Sequence, residues 1–338
     1  MERILIIGTG LIGGSLGMAY KSAFAKDKVK FSEIEVVGFD VSWDAANTAK
    51  KKNAVDRMER DLEIAVSQAK FVVVATPISI VPEIFRAIAP FLADDAVVTD
   101  TASTKGEIMR WAAEMLPPKV SFIGGHPMAG KEVGGIDNAS ADLFQGSTYC
   151  IVPSRNATQN AIDLTVGMAR TVGSEHYFID ADEHDMLVAG ISHLPLFLST
   201  ALMATISKSP SWDEMAKLAS SGFRDTSRLA SSDLALSRGI TQTNKAGIVR
   251  WLDEYISVLK DYRRVLDESP EELLAEFERA QVARDKWIIN REGKADQDRT
   301  EGVPSAGDQF REFIGGDRLM GLFRRQEEED KKRREERR

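Results

Sequence analysis

The sequence predicts an α/β protein with a parallel sheet in its first half and a helical second half. Three observations carry this. Short β-branched runs alternate with helix-like patterns through the first half of the chain. A GxGxxG glycine pattern follows the first such run directly. From about residue 156 the strand-like runs give way to long helical patterns.

The strand-like runs are "RILIIG" (3–8), "EVVGF" (35–39), "FVVVAT" (71–76), "AVVTD" (96–100) and "SFIGG" (121–125). They are almost continuously apolar, as expected where helices cover both faces of a parallel sheet. Between them "SLGMAYKSAFAK", "WDAANTAKKK" and "KGEIMRWAAEML" each form an amphipathic helix pattern. "STYCIVP" (147–153) closes this region. Beyond it lie "QNAIDLTVGMARTVG", an apolar stretch over 182–207, "SWDEMAKLAS", "NKAGIVRWLDEYISVLKDYRRVLDES" and "PEELLAEFERAQVARDKWIINR". The expected domains are therefore 1–153, a dinucleotide-binding domain of Rossmann type, and 154–292, an all-helical domain. A polar linker and charged tail follow over 293–338. Long helices with apolar faces often pair across a two-fold axis, so a homodimer through the helical domain is expected.

Length and composition bound the function. The chain has 338 residues, 43% of them apolar and 28% charged, and that balance belongs to an ordinary globular protein. Its one cysteine, Cys150, rules out an internal disulfide and fits a reduced cytoplasmic compartment. The net charge of -8 argues against nucleic acid or an anionic membrane surface as partner. The opening "MERILIIGTGLIGG" lacks the layout of a secretory signal. No apolar run is expected to reach the roughly 18 residues that cross a bilayer.

Gly8, Gly10 and Gly13 supply the glycine pattern between a strand and a helix. In that context the first glycine allows a tight turn, the second lets a pyrophosphate approach the backbone, and the third lets the helix pack on the strand. The free N–H groups at the helix start, around Leu11 and Ile12, would face the phosphates. Asp40 ends the second strand, 27 residues after Gly13. A carboxylate there accepts hydrogen bonds from ribose hydroxyls and repels a 2′-phosphate. No arginine follows in "DVSWDAAN", so NAD is favoured over NADP. Thr76 and Pro77 end the third strand and Thr101 follows the fourth. Ligands of open α/β sheets sit at such carboxyl ends, so these residues are expected to border the cofactor.

Hydride transfer to a nicotinamide from an alcohol needs a proton acceptor, and neutral histidine suits that near pH 7. The chain has four histidines. His126 lies in "FIGGHPMAGKEVGG" (122–135), which reads as a glycine-rich loop at a strand end. His176 belongs to an edge strand. His184 falls in the first turn of a helix opened by "DADEHD". His193 follows nine residues later, and at about 100° per residue the two would face opposite ways, so no shared metal site is expected. His193 has two readings, a core histidine at a kink caused by Pro195 or a pocket residue. Arg224 and Arg228 stand four apart, either binding a dicarboxylate or forming a solvated face tied to Asp225 and Asp233.

Six motifs in order, "GTGLIGGSLG", "DTASTKGEI", "GGHPMAGKEVGG", "ADLFQGSTYCIVP", "DEHDMLVAGISHLP" and "GFRDTSRLASSD", resemble the prephenate/arogenate dehydrogenase family of tyrosine biosynthesis. The resemblance covers roughly residues 1–290. It implies NAD-dependent oxidative decarboxylation of prephenate to 4-hydroxyphenylpyruvate, or of its amino analogue arogenate to tyrosine. It also implies that the helical domain dimerises. Matched position by position, His126 is implied as the catalytic base and Ser103 as the hydroxyl beside it. Arg228 is implied to hold a substrate carboxylate, with His193 and Arg224 in the pocket. Glu132 and Asp225 are implied to gate the pocket and to hold that arginine. Ala102 stands where glycine is common in the family, and Leu196 where many relatives carry a second histidine. A reading from a different class is a non-catalytic NAD(H) sensor. It needs the glycine turn but not His126, Ser103 and Arg228 together.

Overall fold

The computed structural model describes residues 2–26, 34–131 and 133–297. An eight-stranded sheet organises the first part: β1 (Glu2–Ile7), β2 (Ile34–Phe39), β3 (Arg57–Met58), β4 (Phe71–Val74), β5 (Val97–Asp100), β6 (Ser121–Pro127), β7 (Thr148–Pro153) and β8 (Glu175–Phe178). The spatial order is β3-β2-β1-β4-β5-β6-β7-β8. The strands from β1 to β6 run parallel, β7 is antiparallel to β6, and β8 is parallel to β7. The first six strands thus follow the 3-2-1-4-5-6 order of dinucleotide-binding sheets, whose switch point lies between β1 and β4.

Thirteen α-helices occur among the described residues. In the sheet region these are α1 (Leu11–Lys26), α2 (Trp43–Lys51), α3 (Leu62–Ser67), α4 (Val81–Ile88), α5 (Gly106–Met115) and α6 (Gln159–Thr171). The helical part holds α7 (Ala181–Val188), α8 (Leu194–Ile206), α9 (Trp212–Leu218), α10 (Ser221–Ser227), α11 (Leu234–Thr243), α12 (Lys245–Glu268) and α13 (Leu273–Gln297).

The pleat sends alternate side chains to opposite faces, and the sequence fills both. Leu5, Ile7, Val72, Val74 and Val98 pack with Phe85 of α4 and Ile108 of α5. Ile4, Ile6, Val73 and Val97 pack with Leu16 and Tyr20 of α1 and Met168 of α6. Each such buried side chain contributes about 1.5–3 kcal/mol. Helices on both faces explain why the strand runs read as continuously apolar.

The sheet does not end at residue 153, where the sequence places a domain boundary. α6 packs back on it, and β8 extends it to Phe178. Short β8 was expected only as an edge strand around His176, and it is that edge. The chain divides into two compact units, the first closing at Ile256 and the second beginning at Ser257. Within the second, α12 ends, a 3-10 turn spans Pro270–Glu272, and α13 carries the helix to Gln297, past the expected start of the linker. The charged tail lies outside the described residues.

Two further expectations are corrected. The "FIGGHPMAGKEVGG" stretch is not a loop from its start, because β6 runs through His126 to Pro127 and pairs His126 with Cys150. Gly124 and Gly125 serve close packing: a Cβ on Gly124 would meet Met109 Sδ at 2.9 Å, and one on Gly125 would meet the Asp100 carbonyl oxygen at 2.5 Å. The other corrected expectation is that no apolar run reaches the length that crosses a bilayer. α7 and α8 are joined by a π-turn over Ala189–His193 into one helix, Ala181–Ile206, whose length and mean hydropathy of 1.7 would suffice to cross a membrane. Its buried face, however, carries the polar side chains of His184, Asp185 and His193.

The π-turn has a local cause. Pro195 has no N–H to continue the α ladder, and the turn ends with Leu194 N–H donating to the Ala189 carbonyl. Trp251 of α12 lies against Gly190, where a Cβ would come within 2.8 Å of its ring, and its Nε1 donates to the Met186 carbonyl at 3.0 Å. A π-turn inserts a residue and sets the helical register back by about 100°. His184 and His193 therefore do not face opposite ways, and both are 1% exposed.

Candidate active site

The site is assembled at the carboxyl ends of the parallel strands. After β1, Gly8 has φ +91, and a Cβ there would meet the Ala75 carbonyl oxygen at 2.5 Å. A Cβ on Gly13 would lie 1.9 Å from the Gly8 carbonyl oxygen, so α1 approaches β1 only because Gly13 has none. A Cβ on Gly10 would meet nothing within 4 Å, which leaves open space beside the backbone at that point. The first intrahelical bond is Gly14 N–H to the Gly10 carbonyl at 2.9 Å. The N–H groups of Leu11, Ile12 and Gly13 before it have no helical acceptor.

Asp40, after β2, is fixed by three bonds. Its Oδ2 accepts from Thr9 N–H at 2.8 Å and Thr9 Oγ1 at 3.0 Å, and its Oδ1 accepts from Ser42 N–H at 2.8 Å. A carboxylate has about four acceptor positions, so one remains on Oδ1 for a ribose hydroxyl. Next to it Trp43 opens α2, and the Arg60 guanidinium stacks on its ring at 4.0 Å. Sequence reasoning missed Arg60, which is distant in the chain. Across the switch point the Thr76 Oγ1 is buried with no hydrogen-bond partner among the described residues. Open backbone at Gly10, unpaired N–H groups and an orphaned hydroxyl fit a dinucleotide pyrophosphate. Thr101 follows β5 and donates its N–H to Val74 at 3.1 Å; Pro77 is exposed.

Beside this cradle lies a buried polar network. Asp100, at the end of β5, accepts from Ala102 N–H at 2.8 Å and Gly125 N–H at 3.1 Å, and is ion-paired with Lys105 Nζ. Asp100 and Lys105 are both wholly buried. Asp185 of α7 accepts from the N–H groups of Lys105 at 2.7 Å and Gly106 at 2.9 Å, at the start of α5. It also accepts from His184 Nδ1 at 2.8 Å. His184 Nε2 stands 2.9 Å from His126 Nδ1. Asn244 Nδ2 donates to the Asp185 carbonyl at 2.6 Å and lies 3.2 Å from His193 Nδ1. His193 Nε2 is buried with no partner among the described residues.

Burial dominates the electrostatics. Desolvation, with His184, Lys105 and His193 nearby, holds His126 well below the ordinary histidine value. Burial pushes His193 down to about 4, with Asp185 opposing and His184 adding to the shift. Burial also lowers Lys105, against the attraction of Asp100. A neutral imidazole at a strand end, next to a dinucleotide cradle, can accept a proton from an alcohol.

Comparison with known proteins then gives the family. The nucleotide-binding domain model of prephenate dehydrogenase matches residues 25–177, and the dimerization domain model of the same enzyme matches 180–279. The chain belongs to the prephenate dehydrogenase family. These are oxidoreductases of tyrosine biosynthesis, as the six motifs led us to expect. Prephenate dehydrogenase of Bacillus subtilis is 29% identical over 295 residues, covering 86% of this chain and 78% of that one. The Aquifex aeolicus prephenate dehydrogenase, solved in complex with hydroxyphenyl propionate and NAD+, is 25% identical with a TM-score of 0.77, over 85% of this chain and 98% of that one. The Synechocystis arogenate dehydrogenase structure is 28% identical with a TM-score of 0.70, over 84% and 99%.

The structure brings together some of the family positions and not others. His126 and His193 share the buried network. Ser103 lies on the loop between β5 and α5, half-buried and not hydrogen-bonded to His126, whose Nδ1 is engaged by His184 instead. That loop is anchored by Thr104, whose hydroxyl is 2.7 Å from that of Thr243. Arg224 and Arg228 are exposed, and Arg224 Nε donates to Asp225 Oδ1 at 3.2 Å. The segment is tied to α8 by Ser199 Oγ, which donates to the Thr226 carbonyl at 2.6 Å. It also adjoins the loop after β6, since a Cβ on Gly134 would lie 3.6 Å from Asp233. Leu196, where many family members are expected to carry histidine, packs on the sheet core. Glu132 lies outside the described residues.

Sequence reasoning missed Asp100, Lys105, His184, Asp185 and Asn244. It read "DADEHD" as a helix start, which is correct: Asp180 caps α7 by accepting from Asp182 N–H at 2.9 Å. The available signal was the adjacent His-Asp pair entering a long apolar run, where two polar side chains need buried partners.

Proposed function

We propose that the chain oxidises prephenate with NAD, releasing CO2 and 4-hydroxyphenylpyruvate. The observation that carries this reading is His126, kept neutral by burial at the carboxyl end of β6, on the same sheet edge as the glycine turn after β1. Bound NAD supplies the hydride acceptor. Gly8, Gly10, Gly13, Leu11 and Ile12 hold its pyrophosphate, Asp40 takes a ribose hydroxyl, and Thr76, Pro77 and Thr101 line its path. His126 Nε2 accepts the proton of the ring C4 hydroxyl as the C4 hydride departs. Loss of the ring carboxylate as CO2 then sends an electron pair into the ring, and the oxygen, becoming a phenol, takes the proton back. Ser103 orients the hydroxyl, Arg228 binds a substrate carboxylate, and His193, Arg224 and Glu132 complete the pocket.

The nucleotide role falls to the sheet region and the substrate and dimer roles to the helices, with the boundary after β8. Exposed apolar side chains such as Leu187, Ile191, Leu218 and Leu234 support a homodimer through that part. A buried, unpaired Cys150 fits a cytoplasmic protein.

Similarity to the Synechocystis arogenate dehydrogenase favours arogenate as the second reading. NADH absorbance with each compound as sole substrate tests both. NADH and CO2 from prephenate in preference to arogenate is the expected result. The reverse preference assigns arogenate, and reduction with neither leaves a non-catalytic NAD(H) sensor.

A further inference from the structure

We propose that Asp185 and His184 are positioning residues that fix the tautomer of His126, with its proton on Nδ1 and its lone pair on Nε2. The inference rests on His126 being the proton acceptor. It follows from three hydrogen bonds read in order.

Asp185 is the fixed end. Its Oδ1 accepts from Lys105 N–H at 2.7 Å and its Oδ2 from Gly106 N–H at 2.9 Å, at the N-terminus of the ten-residue helix α5. Two backbone donors and a helix N-terminus both favour an ionised carboxylate, which only accepts. Nδ1 of His184, 2.8 Å from Oδ1, must therefore carry a hydrogen. In a neutral imidazole the other nitrogen is then an acceptor. That acceptor, His184 Nε2, lies 2.9 Å from His126 Nδ1, so His126 Nδ1 must donate. The lone pair of His126 is left on Nε2.

The surroundings hold this order. The two rings meet edge to face at 69°, with centroids 5.1 Å apart. The groups around the pair are Lys105, itself ion-paired with Asp100, Asp185 on α7, and His193, the last residue of the π-turn.

The tautomer is directly measurable. With only four histidines in the chain, nitrogen-15 histidine spectra of the full-length protein with NAD+ bound are simple to assign, His126→Asn removing one set. We expect a protonated Nδ1 and an unprotonated Nε2 on His126; the opposite tautomer overturns the proposal. This readout needs no turnover, so it stands even if neither prephenate nor arogenate is a substrate. In kinetics, His184→Phe should lower kcat by about 100-fold or more with little change in KM. His184→Gln, which can carry an oxygen to the place of Nε2, should recover at least about tenfold of that loss. Wild-type turnover in His184→Phe, or equal impairment of the two variants, overturns it. If the Phe variant fails to fold, the wild-type spectrum decides.

Discussion

Lys105 and Asp100 form a wholly buried ion pair directly beneath the strand end that carries His126. Asp100 also accepts the N–H of Gly125, the residue before His126, at 3.1 Å. The pair thus sets the backbone under the imidazole. Removing one partner of a buried pair strands the other charge and costs about 3–5 kcal/mol. Lys105→Met should lose about that much in urea unfolding, and adding Asp100→Asn should restore part of it. Strict additivity of the two changes would show that the pair is not coupled.

His126→Asn removes the acceptor and leaves a side chain of similar polarity in the strand. It should fold, bind NAD as the parent does and lose about 10²–10⁴ in kcat. The acid limb of kcat/KM in the parent should fall below the ordinary histidine value, because burial keeps His126 neutral to lower pH. Near-parental turnover in the variant, measured by NADH absorbance, would remove His126 from the chemistry.

The sheet was legible because buried parallel strands leave an unmistakable pattern: Leu5 and Ile7 feed one face, Ile4 and Ile6 the other. The glycine turn was legible for a related reason, since Gly8 and Gly13 are dictated by contacts within a few residues of the turn and by Ala75. The two-residue strand β3 and the one-and-a-half-turn helix α3 are too short to show a period. The histidine network was not legible, because its bonds span 58 residues between His126 and His184 and depend on a π-turn that rotates His193 toward them. A period of 3.6 residues assumes an unbroken α-helix, and Pro195 breaks that assumption.

Arg228, which the proposed function assigns to a substrate carboxylate, opens the 3-10 turn after α10 and is exposed. A charge-assisted bond to a carboxylate is worth about 1.5–3 kcal/mol. Arg228→Ala should therefore raise KM for prephenate about 10- to 100-fold and change kcat far less. An unchanged KM in Arg228→Ala would take that residue out of the pocket.

The three glycines of the turn separate folding from binding. Gly10 has open space where a Cβ would go, while Gly13 would meet the Gly8 carbonyl oxygen at 1.9 Å. Gly10→Ala should keep the parental unfolding free energy within about 0.5 kcal/mol yet raise KM for NAD, because the methyl fills the space proposed for the pyrophosphate. Gly13→Ala should lower stability as well, since α1 must move off β1. Unaltered NAD binding in Gly10→Ala would place the pyrophosphate elsewhere.

His126 and His193 are both kept neutral by the fold, and this makes the protein acid-labile. In the unfolded chain a histidine takes up its proton near pH 6.5, about its ordinary value. In the fold His193 does so only at about 4, and His126 is likewise lowered. Between these limits the unfolded state binds more protons, so stability rises with pH. The contribution is intact above the unfolded value and is lost as pH falls toward the folded one. For His193 alone the loss by about pH 5 is about 2 kcal/mol. Urea unfolding at about pH 7 and about pH 5 should show the parent losing at least that much, and His193→Asn losing less between the same two conditions. Equal slopes in parent and variant would mean that His193 titrates normally in the fold.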